Sequence, residues 1–139
     1  MIYKKMFYIA NIEHGTFLQP LFDDIFDYVE QFGFQRLSSN CAVHEPSGAV
    51  MYLEIRSSEA YSRFHWRMPY AIDENGNITA DSILTIVRAR GNDSGGGSAY
   101  TQLILGISDS GNTVWFTFCD YNTFDTIIPN RTFVYQNNR

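Results

Sequence analysis

The chain has 139 residues and is 45% apolar and 18% charged, which excludes a disordered polymer and fits one globular domain spanning 1–139. Its 10 Lys and Arg against 15 Asp and Glu leave a net charge of −5, so nucleic acid is not expected as the main partner, phosphate affinity being the work of clustered cations. Area scaling for a chain of this mass buries about two thirds of the unfolded surface, enough for a core without cross-links.

Residues 1–12, MIYKKMFYIANI, place two lysines before a short apolar run that Asn11, Glu13 and His14 end at once. A signal peptide needs a longer apolar region and a small-residue cleavage site, so none is expected. Nor does any run approach the roughly 18 apolar residues of a membrane span, and the chain is expected to be soluble when made. Cys41 and Cys119, without a secretory signal, are expected to be two free thiols.

Leu18, Leu21, Phe22, Ile25, Val29 and Phe32 recur at helical spacing, with Asp23, Asp24, Asp27, Glu30 and Gln31 opposite them. Pro20 suits a first turn and Gly33 the left-handed position beyond a helix end, so the spacing predicts a helix over 18–32. From Phe34 the period shortens to two. Ala49–Arg56 alternates Met51, Leu53 and Ile55 with Tyr52, Glu54 and Arg56, and Ser62–Ile72 alternates Phe64, Trp66 and Met68 with Arg63, His65 and Arg67. Pro69 marks the second of these as an edge strand or ends its regular part. Further strands are predicted at Ile83–Arg90, Tyr100–Ile107, Thr113–Cys119 and Thr132–Tyr135, with residues 136–139 a frayed polar tail. The turn-rich stretches Asp73–Asn77, Gly91–Ser98 and Ser108–Asn112 make consecutive antiparallel hairpins the simplest connection. The expected architecture is therefore α+β: one amphipathic helix on a mostly antiparallel sheet of five or six strands, a two-layer sandwich. Its predicted core is Phe22, Ile25, Val29, Phe32, Leu53, Ile55, Leu103, Leu105, Phe116 and Phe118.

No constellation completes a catalytic or metal centre, and no cofactor is expected. His14-Gly-Thr16 is one half of a two-histidine phosphoesterase pattern whose second half is missing, and Thr16 serves as well for a helix N-cap. Cys41-Ala-Val-His44 has the spacing of half a zinc site or of a nucleophile pair, but without the remaining ligands or an orienting group it reads as a loop between the helix and the first strand. Asp23, Asp27 and Glu30 share one helix face as an acidic, solvated stripe. The glycines of 91–98 open no helix and precede no Lys-Ser/Thr, so that loop lacks the geometry of a phosphate cradle. The most informative local feature is a basic strand face: Arg63, His65 and Arg67 on one strand and Arg88 and Arg90 on another, with Arg56 adjacent. If those strands are neighbours, they gather a docking surface for an acidic partner, an anionic ligand or nucleic acid, the plainer reading being an ordinary solvated face.

The helix pattern Leu21-Phe22-Asp23, Phe26-Asp27-Tyr28 and Gly33-Phe34, the aromatic strand with Trp66 and Arg67, and the Gly/Ser/Asn/Asp hairpin tips make residues 17–120 resemble small structural proteins of tailed bacteriophages, found in tail and neck modules. That resemblance implies a compact α+β unit in a ring or adaptor, made in the host cytoplasm and resident in the virion. It implies a non-enzymatic homo-oligomer whose other partners are virion proteins. It carries over no catalytic or binding residue. The candidate interface is therefore Arg63, His65, Arg67, Arg88 and Arg90 against Asp23, Asp27 and Glu30. A phage-encoded small binding protein that sequesters a nucleotide-type ligand or inhibits a host defence protein is the alternative, with Arg63, His65, Arg67 and nearby Tyr or Trp holding phosphate and base.

Overall fold

The computed structural model describes residues 1–9, 18–57, 62–87, 99–121, 127–129 and 132–137. In chain order the elements are β1 (Ile2–Ile9), α1 (Leu18–Glu30), β2 (Gln35–Arg36), β3 (Cys41–His44), β4 (Ala49–Ser57), β5 (Ser62–Ile72), β6 (Ile78–Val87), β7 (Ala99–Ile107), β8 (Thr113–Tyr121), β9 (Ile127–Pro129) and β10 (Phe133–Gln136).

The apolar stripe makes α1 as its spacing predicts. Leu21, Phe22, Ile25, Phe26 and Val29 are buried, while Asp24, Asp27 and Glu30 stay in water. The helix ends in a Schellman cap: Phe34 N–H donates to the Val29 carbonyl (3.3 Å) and Gly33 N–H to that of Glu30 (3.2 Å). Gly33 takes the left-handed φ of +94° that the cap requires, and Phe34 tucks into the core beside Val29. Phe32 is only partly buried, since the cap turns it outward against Tyr3, 4.1 Å between ring centroids.

The fold is α+β, but the single sheet of five or six strands gives way, among the described residues, to two antiparallel sheets of five strands each. One is a meander in the order β2-β3-β4-β5-β6; the other has the order β1-β7-β8-β10, with β9 also paired to β8. Five features escaped the sequence reading, among them the short strands β2 (Gln35–Arg36) and β9 (Ile127–Pro129). Residues 2–9 form a strand that pairs with β7; residues 41–44, expected as loop, form β3; and β6 begins at Ile78 rather than Ile83. The β4-β5, β5-β6 and β7-β8 hairpins form, but β6 and β7 belong to different sheets. The side of β7 that β6 would have used is taken by β1. The Gly91–Ser98 connection lies outside the described residues.

Pro69 is accommodated without making β5 an edge strand. β4 pairs with β5 only as far as Arg67, so Pro69 has β6 alone beside it and needs no donor toward β4. The Asp73–Asn77 turn closes the β5-β6 hairpin as expected, with Asp73 Oδ1 accepting from the N–H groups of Asn75 and Asn77, each 2.9 Å. The Asn77 N–H bond is the main reason that the Asp73 carboxyl lies below the usual carboxylate range.

The core lies between the two sheets and under α1, which touches both β1 and β2. Phe7, Leu103, Leu105, Val114, Phe116 and Phe118 enter from one sheet, and Ala42, Ala49, Met51 and Leu53 from the other. Eight of the predicted core residues are thus buried; Phe32 is the partial exception and the Ile55 side chain lies outside the described set. Tyr135 clasps the sheets together by donating its hydroxyl to the Val50 carbonyl, 3.0 Å away. Its burial pushes the phenol pKa up. The expected frayed tail is held at its start: Gln136 pairs in β10, Asn137 N–H donates to the Asn112 carbonyl (2.9 Å) and its side-chain amide to that of Pro46 (3.1 Å).

Candidate interaction surface

Strand alternation gives the β1-β7-β8-β10 sheet a second, outward face. Its register lines up Ile2, Gly106, Trp115 and Val134 across four strands. A Cβ at Gly106 would sit 2.1 Å from the Trp115 indole, so the ring lies directly on the glycine and spreads along the sheet. On either side of this half-buried indole, Ile2 is 61% and Val134 57% exposed, with Met1 and Met6 also exposed on the β1 side. These are the large apolar side chains that the described part of the molecule leaves in water. Ile2, Met6, Trp115 and Val134 share one sheet face, with Lys4 between Ile2 and Met6, while Met1 alternates to the Tyr3 side; apolar side chains gathered on one face mark an interaction surface, whereas scattered singly they would need no explanation.

The basic positions are partly brought together. β4, β5 and β6 are neighbours, and the register sets Arg56 opposite Arg63, Glu54 opposite His65 and Tyr52 opposite Arg67. The four basic positions Arg56, Arg63, His65 and Arg67 therefore fall in the same alternation class, on the sheet face away from the Met51 and Leu53 positions. On the β6 side, His65 and Arg67 meet Ile86 and Leu84. Arg88 and Arg90 lie outside the described residues.

One member of the acidic stripe is paired within the chain. Asp23 is bonded to Arg36 Nη2 at 2.6 Å, within a cluster in which the guanidinium also lies over the Phe26 ring, 4.9 Å from its centroid, and donates to the Ser38 carbonyl. This ion pair ties Asp23, still half-exposed, into the helix-to-β2 junction. Asp27 and Glu30 remain exposed.

Cys41 and His44, three apart in a strand, project from opposite faces of β3, and so cannot grip one metal ion or act on one substrate. Cys41 is a free, buried thiol packed beside Leu37 and Gly76, and burial pushes its pKa up to about 12. His44 is buried against Phe34, and its Nδ1 is 2.8 Å from Ser47 Oγ, which also accepts from the Ala49 N–H. This pair fixes the β3-β4 turn; desolvation holds the imidazole below its usual pKa. His14, Thr16 and the Cys119 side chain lie outside the described set.

The sequence reading missed the apolar face because it depends on β1. Ile2 and Met6 alternate with Tyr3 and Phe7, a period-two signal that the Lys4-Lys5 pair interrupts. Comparison with known proteins gives no family model that fits the chain and no match among curated proteins or solved structures.

Proposed function

We propose that this chain is a non-enzymatic assembly protein, joining copies of itself and neighbouring proteins through the outward face of the β1-β7-β8-β10 sheet, as a structural component of a phage tail or neck. The observation that carries the assembly reading is the flat apolar strip of Ile2, Trp115 and Val134, flanked by Met6. Reburying a side chain the size of valine or isoleucine is worth about 1.5–3 kcal/mol, so a few such contacts favour association. The phage setting rests on the resemblance of residues 17–120 to tail and neck proteins. The basic positions on β4 and β5, with Asp27 and Glu30 on α1, supply opposite signs that orient neighbouring subunits; Arg56 and Arg63, set side by side, are favoured by an acidic partner.

Sedimentation velocity over a concentration series tests this. The wild-type chain is expected to associate, and the double change Ile2→Lys plus Val134→Lys to weaken association more than tenfold while leaving the fold intact, because both positions point to water. Reversing Arg63 and Arg67 to Glu should weaken assembly at low salt and have little effect at high salt, where exposed charges are screened. A wild-type chain that stays monomeric, alone and with phage-particle extracts, contradicts the reading.

A further inference from the structure

Among the described residues β1 is an edge strand, with no strand paired on the side away from β7. Met1 and Ile107 exchange two backbone bonds, Met1 N to Ile107 O at 2.6 Å and Ile107 N to Met1 O at 2.9 Å, which makes them a hydrogen-bonded pair. Antiparallel alternation then turns the backbone groups of Tyr3, Lys5 and Phe7 toward β7. Those of Ile2, Lys4, Met6 and Tyr8 are aimed the other way, and no described backbone group pairs with them. Alongside this edge, between β1 and α1, runs a groove of about 450 Å³ lined by Lys5, Met6, Phe7, Asp24, Asp27 and Tyr28. Its two carboxylates outnumber its one ammonium, and neither Asp24 nor Asp27 forms an ion pair among the described residues.

We propose that the free edge of β1 takes up an extended, basic segment of a different protein as an added strand, with a groove-facing Lys or Arg set against Asp24 and Asp27. Strand addition draws affinity from the backbone groups of Ile2, Lys4, Met6 and Tyr8, and specificity from the side chains that line the groove. The charge argues for a basic occupant. The chain argues against a second copy of itself. Two β1 strands paired about a two-fold axis would set two fixed Lys4-Lys5 pairs, four cations, against one another, whereas a segment of another protein can offer its cation to Asp24 and Asp27 with no such doublet facing Lys4 and Lys5. Its own alternating basic run, Arg63 to Arg67, is already flanked by β4 and β6 and cannot be given to an outside edge. The proposal rests on the assembly reading only in taking the partner to be a protein.

Fluorescence anisotropy with a labelled peptide of about eight residues, alternating valine and arginine, provides the test. The peptide is expected to bind at low salt, and a version with glutamate in place of arginine is expected not to. Asp24→Asn with Asp27→Asn should weaken binding about three- to tenfold, as loss of exposed ion pairs does. Met6→Pro should weaken it as well, because it removes an outward N–H while sparing the β7 ladder. Absence of binding, equal binding of both peptides, or indifference to Met6→Pro overturns the proposal. Sedimentation read in parallel separates the two ideas: failure of the peptide with self-association intact removes only the added strand, and the reverse outcome removes only the apolar contact.

Discussion

Truncating Phe116 to Ala should destabilise the chain by about 3–5 kcal/mol, the lost burial of an aromatic ring plus the cavity it leaves. Phe116 has no exposed surface, faces Leu105 across the β7-β8 ladder, and stacks on Tyr135 with centroids 6.0 Å apart and planes 15° apart. Since Tyr135 in turn bonds to the Val50 carbonyl on the other sheet, the ring braces the contact between the two layers. Urea unfolding would measure the loss as a lower midpoint at unchanged slope. A change below about 0.5 kcal/mol would be that of a surface site and would remove Phe116 from the core.

Gly76→Ala should be the most damaging of the turn substitutions, at about 2–5 kcal/mol. Its φ of +81° is a left-handed conformation, which costs a residue with a Cβ about 1–2 kcal/mol. The new Cβ would also stand 2.9 Å from Cys41 Cβ and 3.0 Å from Leu37 Cβ, and overpacking of this kind costs about 1–3 kcal/mol more. Both neighbours are Cβ atoms, which move only with their backbone. Gly111 supplies the control: its φ is +75°, but nothing lies within 4 Å of its would-be Cβ, so Gly111→Ala should show the conformational cost alone. Equal losses for the two variants in the same unfolding experiment would mean that the Asp73–Asn77 turn does not pack on β3.

Local periodicity made much of this fold legible. The stripe from Leu18 to Val29 and the left-handed Gly33 mark α1, and strict alternation marks β4, β5, β7 and β8. Strands whose sequence carries no clean period stayed hidden: β2 has two residues, β3 four, and β1 has adjacent lysines in its middle. The division into two sheets was illegible for another reason. Whether β7 pairs with β6 or with β1 is decided by contacts nearly a hundred residues apart, and turn chemistry between sequence neighbours says nothing of it. The candidate surface follows the same logic. Arg63, His65 and Arg67 could be read from alternation alone, and their adjacency to Arg56 needed only the β4-β5 hairpin. The row from Ile2 through Gly106 and Trp115 to Val134 exists only once β1 and β10 are placed at the two sides of the β7-β8 hairpin. Asp23 could not be separated from Asp27 by helical spacing, because its partner Arg36 comes from the segment after the cap.

The outward face of the β1-β7-β8-β10 sheet is expected to be buried when chains assemble. Carbene footprinting of the wild-type protein, compared between a dilute monomer and the assembled state, reads this directly. Labelling of Ile2, Met6 and Val134 should fall on assembly while that of Glu45 and Glu74, exposed elsewhere, stays constant. Unchanged labelling at Ile2 and Val134 in a sample that has assembled would contradict it and place the contact on another surface.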